Sequence, residues 1–224
     1  MEQLMVVFSN PVVGREDEFN EWYQHVHIRD VMLRCPGARW VQRYRLAADQ
    51  PPDASPRYRY VAVYAGDHRG FTEGHRAHIF SEQMPISAAF EVADHRAAYY
   101  LVRAGDDASA VLGPRLLVER FAAGLDPVDG FAERRAGPGI AAGLVATVAE
   151  HQLFPQHADT AAVGLYGTDT APPWPLPAPG TERGRYDALA APLTVAEAQA
   201  PSVVQRDRTA RVRAGLDRLR GGAR

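Results

Sequence analysis

The order of strand and helix patterns in the first 103 residues constrains the fold most strongly. Apolar runs and alternating patterns predict four strands, and two longer segments between them carry helical signals. The order βαββαβ predicts an α+β unit in which two helices cover one face of a sheet and leave the other face bare. The predicted strands are 4–9, 38–47, 58–65 and 95–103, and the predicted helices are 16–34 and part of 71–90.

The rest of the chain predicts a second, weaker copy of the same pattern. Residues 125–138 are too rich in Gly and Pro for a long helix, and they lack the Trp-Tyr-x-x-x-His signature of the first half. We interpret this as a degenerate tandem duplication. The segments that resemble the first three strands are 114–122, 143–154 and 161–168.

This pattern predicts ferredoxin-like βαββαβ units, two per chain; their packing as a dimeric-type α/β barrel is what the family resemblance described below implies. The first unit is 1–103, a linker covers 104–113, and the second unit is 114–224. Within the second unit we predict a Pro-rich surface loop at 169–185 and an arginine-rich helix at 203–219. The bare faces of the two sheets would then cover each other.

The first predicted helix carries the strongest functional signal, because segment 21–31 reads EWYQHVHIRDV. At about 100° per residue, Tyr23 and His27 stack one turn apart and Asp30 lies within reach of the imidazole. We predict that His27 is a general acid or base and that Asp30 orients it. Tyr23 and Asn20 would donate hydrogen bonds to an oxyanion. The competing interpretation is a structural histidine at the boundary of helix and sheet.

Aromatic and cationic side chains of the strands are candidates for a substrate pocket. We predict that Trp22, Trp40, Tyr44, Tyr64 and Arg43 bind substrate, with the guanidinium available to an anionic group. Such a pocket would suit a flat or ring-containing molecule.

Composition excludes several classes of function. All 25 basic residues are arginine, so no mechanism that needs a Schiff-base lysine is available. Cys35 is the only cysteine, which excludes a disulfide framework within one chain and suggests a reducing cytoplasm. A net charge of −2 gives no general attraction for nucleic acid or anionic membranes. We expect a soluble cytoplasmic protein with a small-molecule substrate as its partner, and leave a homodimer open.

A second pair of histidines, His75 and His78, lies one turn apart on the second predicted helix. Without a clear third ligand, this pair is more typical of a solvated or packing pair than of a metal site. We therefore predict no metal and no cofactor, with an axial haem ligand as the related alternative.

The first half resembles bacterial dimeric α/β-barrel proteins of the EthD-like group. The matching residues are FSNPVVGREDEFNEWYQHVHIRDV, a following Pro-Gly, VQRYRL and RYVAVY, within about residues 4–66. The resemblance implies a barrel made of two ferredoxin-like sheets with a pocket inside. It also implies activities that include isomerisation, dehydration, cyclisation and cofactor-free oxygenation.

From these features we expect a cofactor-independent lyase or isomerase that acts on a small, largely apolar carbonyl or ring compound. Cyclisation, dehydration or another elimination would be the outcome. The nearest alternative is a cofactor-free oxygenase, because an enolate held near aromatic side chains can react with dioxygen. Two further alternatives are a non-catalytic binder of small ligands or haem and an assembly protein with a dimerising sheet.

Overall fold

The computed structural model describes residues 2–50, 54, 56–79, 81–154, 160–168 and 181–221. The strands are β1 (Glu2–Pro11), β2 (Ala38–Leu46), β3 (Tyr60–Asp67), β4 (Phe90–Gly105), β5 (Arg115–Phe121), β6 (Ile140–Val148), β7 (Ala162–Thr168), β8 (Thr181–Ala188) and β9 (Leu193–Thr194). The helices are α1 (Glu16–Trp22), α2 (Ile28–Arg34), α3 (His68–His78), α4 (Ala108–Val111), α5 (Phe131–Arg135), α6 (Val195–Gln199) and α7 (Val203–Gly221). A π-helical turn, Tyr23–His27, joins α1 to α2.

Eight of these strands form one closed antiparallel barrel. Their order is β3-β1-β4-β6-β7-β5-β8-β2, and β2 pairs with β3 to close the ring. The short strand β9 pairs with β2 at Trp40 and Val41. Closure leaves none of the eight strands with an unpaired edge. The predicted α+β barrel is therefore confirmed, and its strands come from a single chain.

Each half of the chain contributes four neighbouring strands. The order is β4-β1-β3-β2 in the first half and β8-β5-β7-β6 in the second. The halves meet where β4 pairs with β6 and where β2 pairs with β8. The predicted linker 104–113 contains the end of β4 and the short helix α4. The division of the chain into two domains stays a prediction.

Two apolar layers lie on opposite sides of the barrel wall. Neighbouring side chains of a strand point to opposite faces, so Val6 of β1 faces the interior and Val7 faces the helices. The interior layer joins Phe8 and Val63 of the first half to Leu165 of the second. Side chains therefore fill the barrel interior. The helices α1, α2 and α3 pack on the outside of the first half.

Several predicted boundaries differ from the structure. The helix expected at 16–34 is interrupted by the π-helical turn, and the second helix, expected within 71–90, covers His68–His78 and so begins three residues earlier. Of the loop predicted at 169–185, residues 181–185 form the start of β8, and 169–180 lie outside the described residues.

The C-terminal helix α7 lies on the outside of the first helix layer. Thr209 donates a hydrogen bond to the carbonyl of His25 at 2.8 Å, and Arg208 forms an ion pair with Glu21. The end of the chain therefore supports the element that carries His27. In the parts of the chain that are described, no helix has the length and apolar character needed to cross a membrane.

Candidate active site

The π-helical turn determines where His27 points. The amide of Ile28 donates to the carbonyl of Tyr23, so this turn contains one residue more than an α-helical turn. Residues five apart lie on different sides of a regular α-helix. Here the wider turn brings the rings of Trp22 and His27 to 4.8 Å between centroids, and Tyr23 meets His27 edge to face at 4.9 Å. The imidazole is therefore held against two aromatic rings.

His27 lines a small cavity between the helix layer and the outer face of the barrel. The cavity has a volume of about 30 Å³, which is room for one or two water-sized molecules. Met5 and Ala97 contribute from the sheet. Two other histidines, His75 and His95, share the cavity with His27, and the remaining lining is aromatic and aliphatic.

The buried imidazole of His27 has an unused hydrogen-bonding position. Its Nδ1 has no partner among the described residues, and the side chain is only 7% exposed. Burial, with smaller contributions from His75 and Arg43, lowers the pKa of His27 to about 3. His27 is therefore neutral at physiological pH and can accept a proton or a hydrogen bond from a ligand.

The other two histidines are tied to the protein through their Nδ1 atoms. Nδ1 of His75 lies 2.8 Å from the hydroxyl of Tyr99, and Nδ1 of His95 lies 2.6 Å from the carbonyl of Val92. Burial lowers the pKa of His75 to about 4 and also lowers the pKa of His95. All three imidazoles are therefore neutral groups at the cavity.

Tyr23 separates the cavity from a buried arginine. The guanidinium of Arg43 lies 4.2 Å from the ring centroid of Tyr23, and the hydroxyl of Tyr64 lies 3.4 Å from that of Tyr23. Burial raises the pKa of Tyr23, so its phenol stays protonated at neutral pH. Of these three residues only Tyr23 lines the cavity, and Arg43 and Tyr64 form a layer behind it.

The prediction that Asp30 orients His27 is wrong. The carboxylate of Asp30 is paired with Arg213 of α7, and Arg34 lies 3.8 Å away. Within the described chain Asp30 Oδ2 and His27 Nδ1 both lack hydrogen-bond partners, so the two residues do not bond to each other. The physical reason is that the π-helical turn directs His27 towards the sheet, whereas Asp30 faces the C-terminal helix.

Asn20 also lies away from the cavity. Its side-chain amide donates to the hydroxyl of Tyr60 at 2.9 Å, and its carbonyl oxygen accepts from Arg43 at 3.0 Å. Asn20 therefore belongs to the Arg43 layer, and it is not placed to bind an oxyanion beside His27.

The predicted substrate-binding residues lie on both faces of the sheet. Trp22 lines the cavity as expected. Trp40 and Tyr44 pack inside the barrel, where the hydroxyl of Tyr44 donates to Gln42 at 2.8 Å. Arg43 and Tyr44 are neighbours on β2 and must point to opposite faces, so they cannot line one pocket. The placement of Trp40 and Tyr44 in a shared pocket is therefore wrong.

His75 was expected to form a solvated or packing pair with His78, with a metal or haem ligand as the alternatives, and His95 was not among the predicted site residues. In the described part of the chain, no group of three or more His, Cys, Asp or Glu side chains could hold a metal ion. His78, the proposed partner of His75, is not in the cavity lining. The available signal for His95 was its position in β4, two residues before Ala97 and therefore on the same face.

A larger open depression of about 650 Å³ lies beside the β1–α1 connection. Four of its charged side chains form two ion pairs, Arg57 with Asp94 at 2.5 Å and Arg59 with Glu16 at 2.7 Å. It is open to solvent and contains no nucleophile or imidazole, so the His27 cavity is the better candidate for chemistry.

Comparison with known proteins identifies the class of fold. No family model matches the sequence, and no curated protein matches it. A solved structure of an anthrone oxidase-like protein matches 90% of this chain and 96% of its own, at 9% identity and a TM-score of 0.56. This chain therefore has a fold of the dimeric α/β-barrel type, and at this identity the likeness shows the fold alone.

Two further solved structures carry provisional names as monooxygenases. The protein from Fusobacterium nucleatum subsp. nucleatum ATCC 25586 is 8% identical and covers 84% of this chain and 93% of its own, with a TM-score of 0.49. The protein from Lactobacillus acidophilus NCFM is 8% identical. The match covers 87% of this chain and 96% of that protein, with a TM-score of 0.45.

These comparisons correct the expected reaction. The predicted lyase or isomerase activity, of the cyclase or dehydratase type, is contradicted, because the matching structure with a TM-score of 0.56 is named as an anthrone oxidase-like protein.

Proposed function

We propose that this protein is a cofactor-independent oxygenase that acts on an aromatic ketone of the anthrone kind. The observation that carries the proposal is the buried His27, which lines a largely apolar cavity next to aromatic rings and whose Nδ1 has no partner among the described residues. The fold that this chain shares with an anthrone oxidase-like protein supports the same reaction class.

The proposed reaction turns a methylene group, activated by a conjugated carbonyl, into a second carbonyl. His27 removes one proton and leaves an enolate, which transfers an electron to dioxygen; the radical pair then combines to a peroxide anion. The anion regains a proton from His27, and the hydroperoxide loses water as its C–H proton leaves. The balance is R₂CH₂ + O₂ → R₂C=O + H₂O, with dioxygen as the oxidant.

The pKa of His27 is low because an imidazolium at this position would be an isolated buried cation. In the proposed step the imidazolium forms together with the enolate. The opposite charge offsets the cost of burial, and the apolar lining strengthens the attraction between the two. His27 can therefore act as a base towards a bound acidic methylene although it stays neutral in the free protein.

A three-ring substrate needs a pocket of about 300 Å³ or more, far beyond the present cavity. The partly buried residues of the lining are Ile79, Ile86 and Phe154, which lie outside the strands, and Phe90 at the start of β4. We infer that these side chains move aside when substrate enters. Cavities of water size are large enough for dioxygen but not for the ketone.

We also infer that residues 1–103 and 114–224 each form a ferredoxin-like unit, joined through 104–113. The strand order that recurs in the two halves supports this division. The motif that resembles EthD-like proteins lies in the first unit, and the cavity lined by three histidines is formed by residues of that unit together with Phe154.

Oxygen uptake tests the proposed function. Purified protein without added flavin or metal should consume one O₂ for each 1,8-dihydroxyanthrone oxidised, above the rate of spontaneous oxidation. The His27→Ala variant should lose about 100-fold or more of the rate, because a general base contributes this much. An oxygen electrode and the absorbance of the quinone product give the two measurements.

The matched control is His78→Ala, which removes a partly exposed histidine from α3 without touching the cavity lining. It should keep the rate of the unmodified protein. Oxygen uptake that is no faster than the spontaneous reaction, or equal rates for the unmodified protein and His27→Ala, would falsify the proposed function.

A further inference from the structure

His75, which lines the cavity together with His27, also has an unpartnered ring nitrogen among the described residues. Its side chain is 2% exposed, and among the described residues its Nε2 has no hydrogen-bond partner. The residue comes from α3, whereas His27 comes from the π-helical turn, so two separate elements bring these imidazoles to one cavity. A buried polar atom without a partner is costly in a folded protein, which points to a ligand as the missing partner.

The contact between His75 and Tyr99 indicates which nitrogen carries the proton. The hydroxyl of Tyr99 is buried, and Nδ1 of His75 at 2.8 Å is the one acceptor that the described structure offers it. If Tyr99 donates, its hydrogen is satisfied and the neutral imidazole carries its own hydrogen on Nε2. The opposite arrangement would leave the phenolic hydrogen buried without an acceptor, so the first arrangement is favoured.

We propose that His75 is a catalytic hydrogen-bond donor, whose Nε2–H binds the carbonyl oxygen of the substrate and stabilises the enolate that His27 creates. This inference rests on the proposed function and extends it, because it assigns opposite roles to the two imidazoles. His27 accepts a proton, and His75 donates a hydrogen bond without giving its proton away. The ligand is then a ketone whose acidic methylene contacts His27 of the π-helical turn and whose carbonyl oxygen contacts His75 of α3.

The hydrogen bond from Tyr99 supports this role in a second way. A phenol that donates to Nδ1 keeps the imidazole in a single tautomer and a fixed orientation. A donor that is already aimed at the place where negative charge develops stabilises the enolate without reorganisation. Tyr99 is thus a positioning residue, and His75 is the group that touches the substrate.

Anaerobic binding of 1,8-dihydroxyanthrone tests the proposal without any oxygenation. The readouts are the dissociation constant, from quenching of tryptophan fluorescence, and the fraction of bound probe present as enolate at neutral pH, from its visible absorbance. The unmodified protein should bind the probe and enrich the enolate. His75→Leu should reduce the enolate-to-ketone ratio of the bound probe about tenfold, because a donor to a charged oxygen is lost.

Two further variants separate a catalytic role from a packing role. His75→Gln restores an N–H donor near the position of Nε2 and should recover part of the enolate, whereas a residue needed only for packing would not show this rescue. Tyr99→Phe leaves the cavity lining unchanged but no longer fixes the tautomer of His75. Its enolate-to-ketone ratio should lie between those of the unmodified protein and His75→Leu. His78→Leu is the matched control and should behave as the unmodified protein.

The outcomes distinguish this inference from the proposed function. The role of His75 is overturned if the His75→Leu variant binds the probe with the same enolate fraction as the unmodified protein. It is also overturned if the unmodified protein forms no enolate of the bound probe. If oxygen uptake depends on His27 while His75→Leu turns over normally, the inference alone fails. If enolate formation depends on His75 but no oxygen is consumed, the inference stands and the proposed oxygenase activity fails.

Discussion

At the scale of single residues, this protein places uncharged imidazoles where water is scarce. His27 and His75 are both more than nine-tenths buried, and burial lowers their pKa values to about 3 and about 4. A histidine in the unfolded chain has a pKa near 6.5. Below that pH the unfolded state therefore binds protons that the folded state does not bind. The chemistry of the site and the stability of the fold therefore depend on the same two side chains.

This difference predicts that acid destabilises the protein well before its carboxylates titrate. Because the folded pKa values are lowered, the stabilising effect is complete above about pH 6.5 and is lost as the pH falls from there towards 3 to 4. Below about pH 6.5 each histidine lowers the free energy of unfolding by about 1.4 kcal/mol per pH unit. This free energy should therefore fall by roughly 2–4 kcal/mol between pH 7 and pH 5. Urea denaturation at both pH values measures the change.

The variant His27→Phe provides the control for this prediction, because a similar ring without titratable groups should reduce the pH dependence by about half. His78→Phe should leave the dependence as it is. If the pH dependence of His27→Phe equals that of the unmodified protein, the assignment to buried histidine is wrong.

At the scale of elements, the C-terminal helix α7 supports the turn that carries the candidate base. Arg213 of α7 is paired with Asp30, whose side chain is almost completely buried at the start of α2. Arg208 and Thr209 add an ion pair and a hydrogen bond to the neighbouring segment. An element from the end of the chain thus completes the environment of the first helix.

We predict that Arg213→Ala destabilises the protein by about 1–3 kcal/mol. Removal of the arginine leaves the carboxylate of Asp30 buried with only Arg34 nearby, and the partial exposure of Arg213 makes the cost smaller than that of a fully buried pair. The midpoint and slope of urea denaturation measure it.

The exposed Arg211 on the same helix supplies the comparison, since Arg211→Ala should change stability by less than about 0.5 kcal/mol. In the double variant Asp30→Asn with Arg213→Ala, much of the loss should disappear, because no charge is left buried. Equal losses for Arg213→Ala and Arg211→Ala would show that the buried pair contributes nothing particular.

At the scale of the whole molecule, the two halves share one interior. The inner apolar layer joins Val63 of β3 to Leu165 of β7, and both side chains are almost inaccessible to solvent. Neither half can bury its inner face alone, because the inner face of each half packs against the inner face of the other. The barrel should therefore fold and unfold as one unit.

We predict a single cooperative thermal transition, in which the calorimetric and van't Hoff enthalpies agree. Leu165→Ala in the second half should lower the stability of the whole molecule by about 2–5 kcal/mol, and Val63→Ala in the first half should act on the same transition. Differential scanning calorimetry tests this expectation. Two separate transitions, each sensitive to only one of the substitutions, would mean that the halves are independent domains.

The local pattern of the sequence predicted seven of the eight barrel strands and singled out His27 as a candidate, but it placed the start of β8 in a loop. Strand alternation and helix periodicity depend on neighbours along the chain, and these are visible in the residues themselves. The same pattern could not predict the π-helical turn, because an i to i+5 turn uses ordinary residues and is stabilised by the packing of Trp22 and Tyr23 on the sheet.

The partners of the site depend on contacts between distant segments. Asp30 is bound by Arg213, 183 positions further along the chain, and His75 meets Tyr99 across 24 positions. Such contacts exist only after the barrel has closed and α7 has packed on the helix layer. Periodicity was therefore enough to predict two βαββαβ units with a histidine on the first helix, whereas long-range packing determined which groups face that histidine and which face away from it.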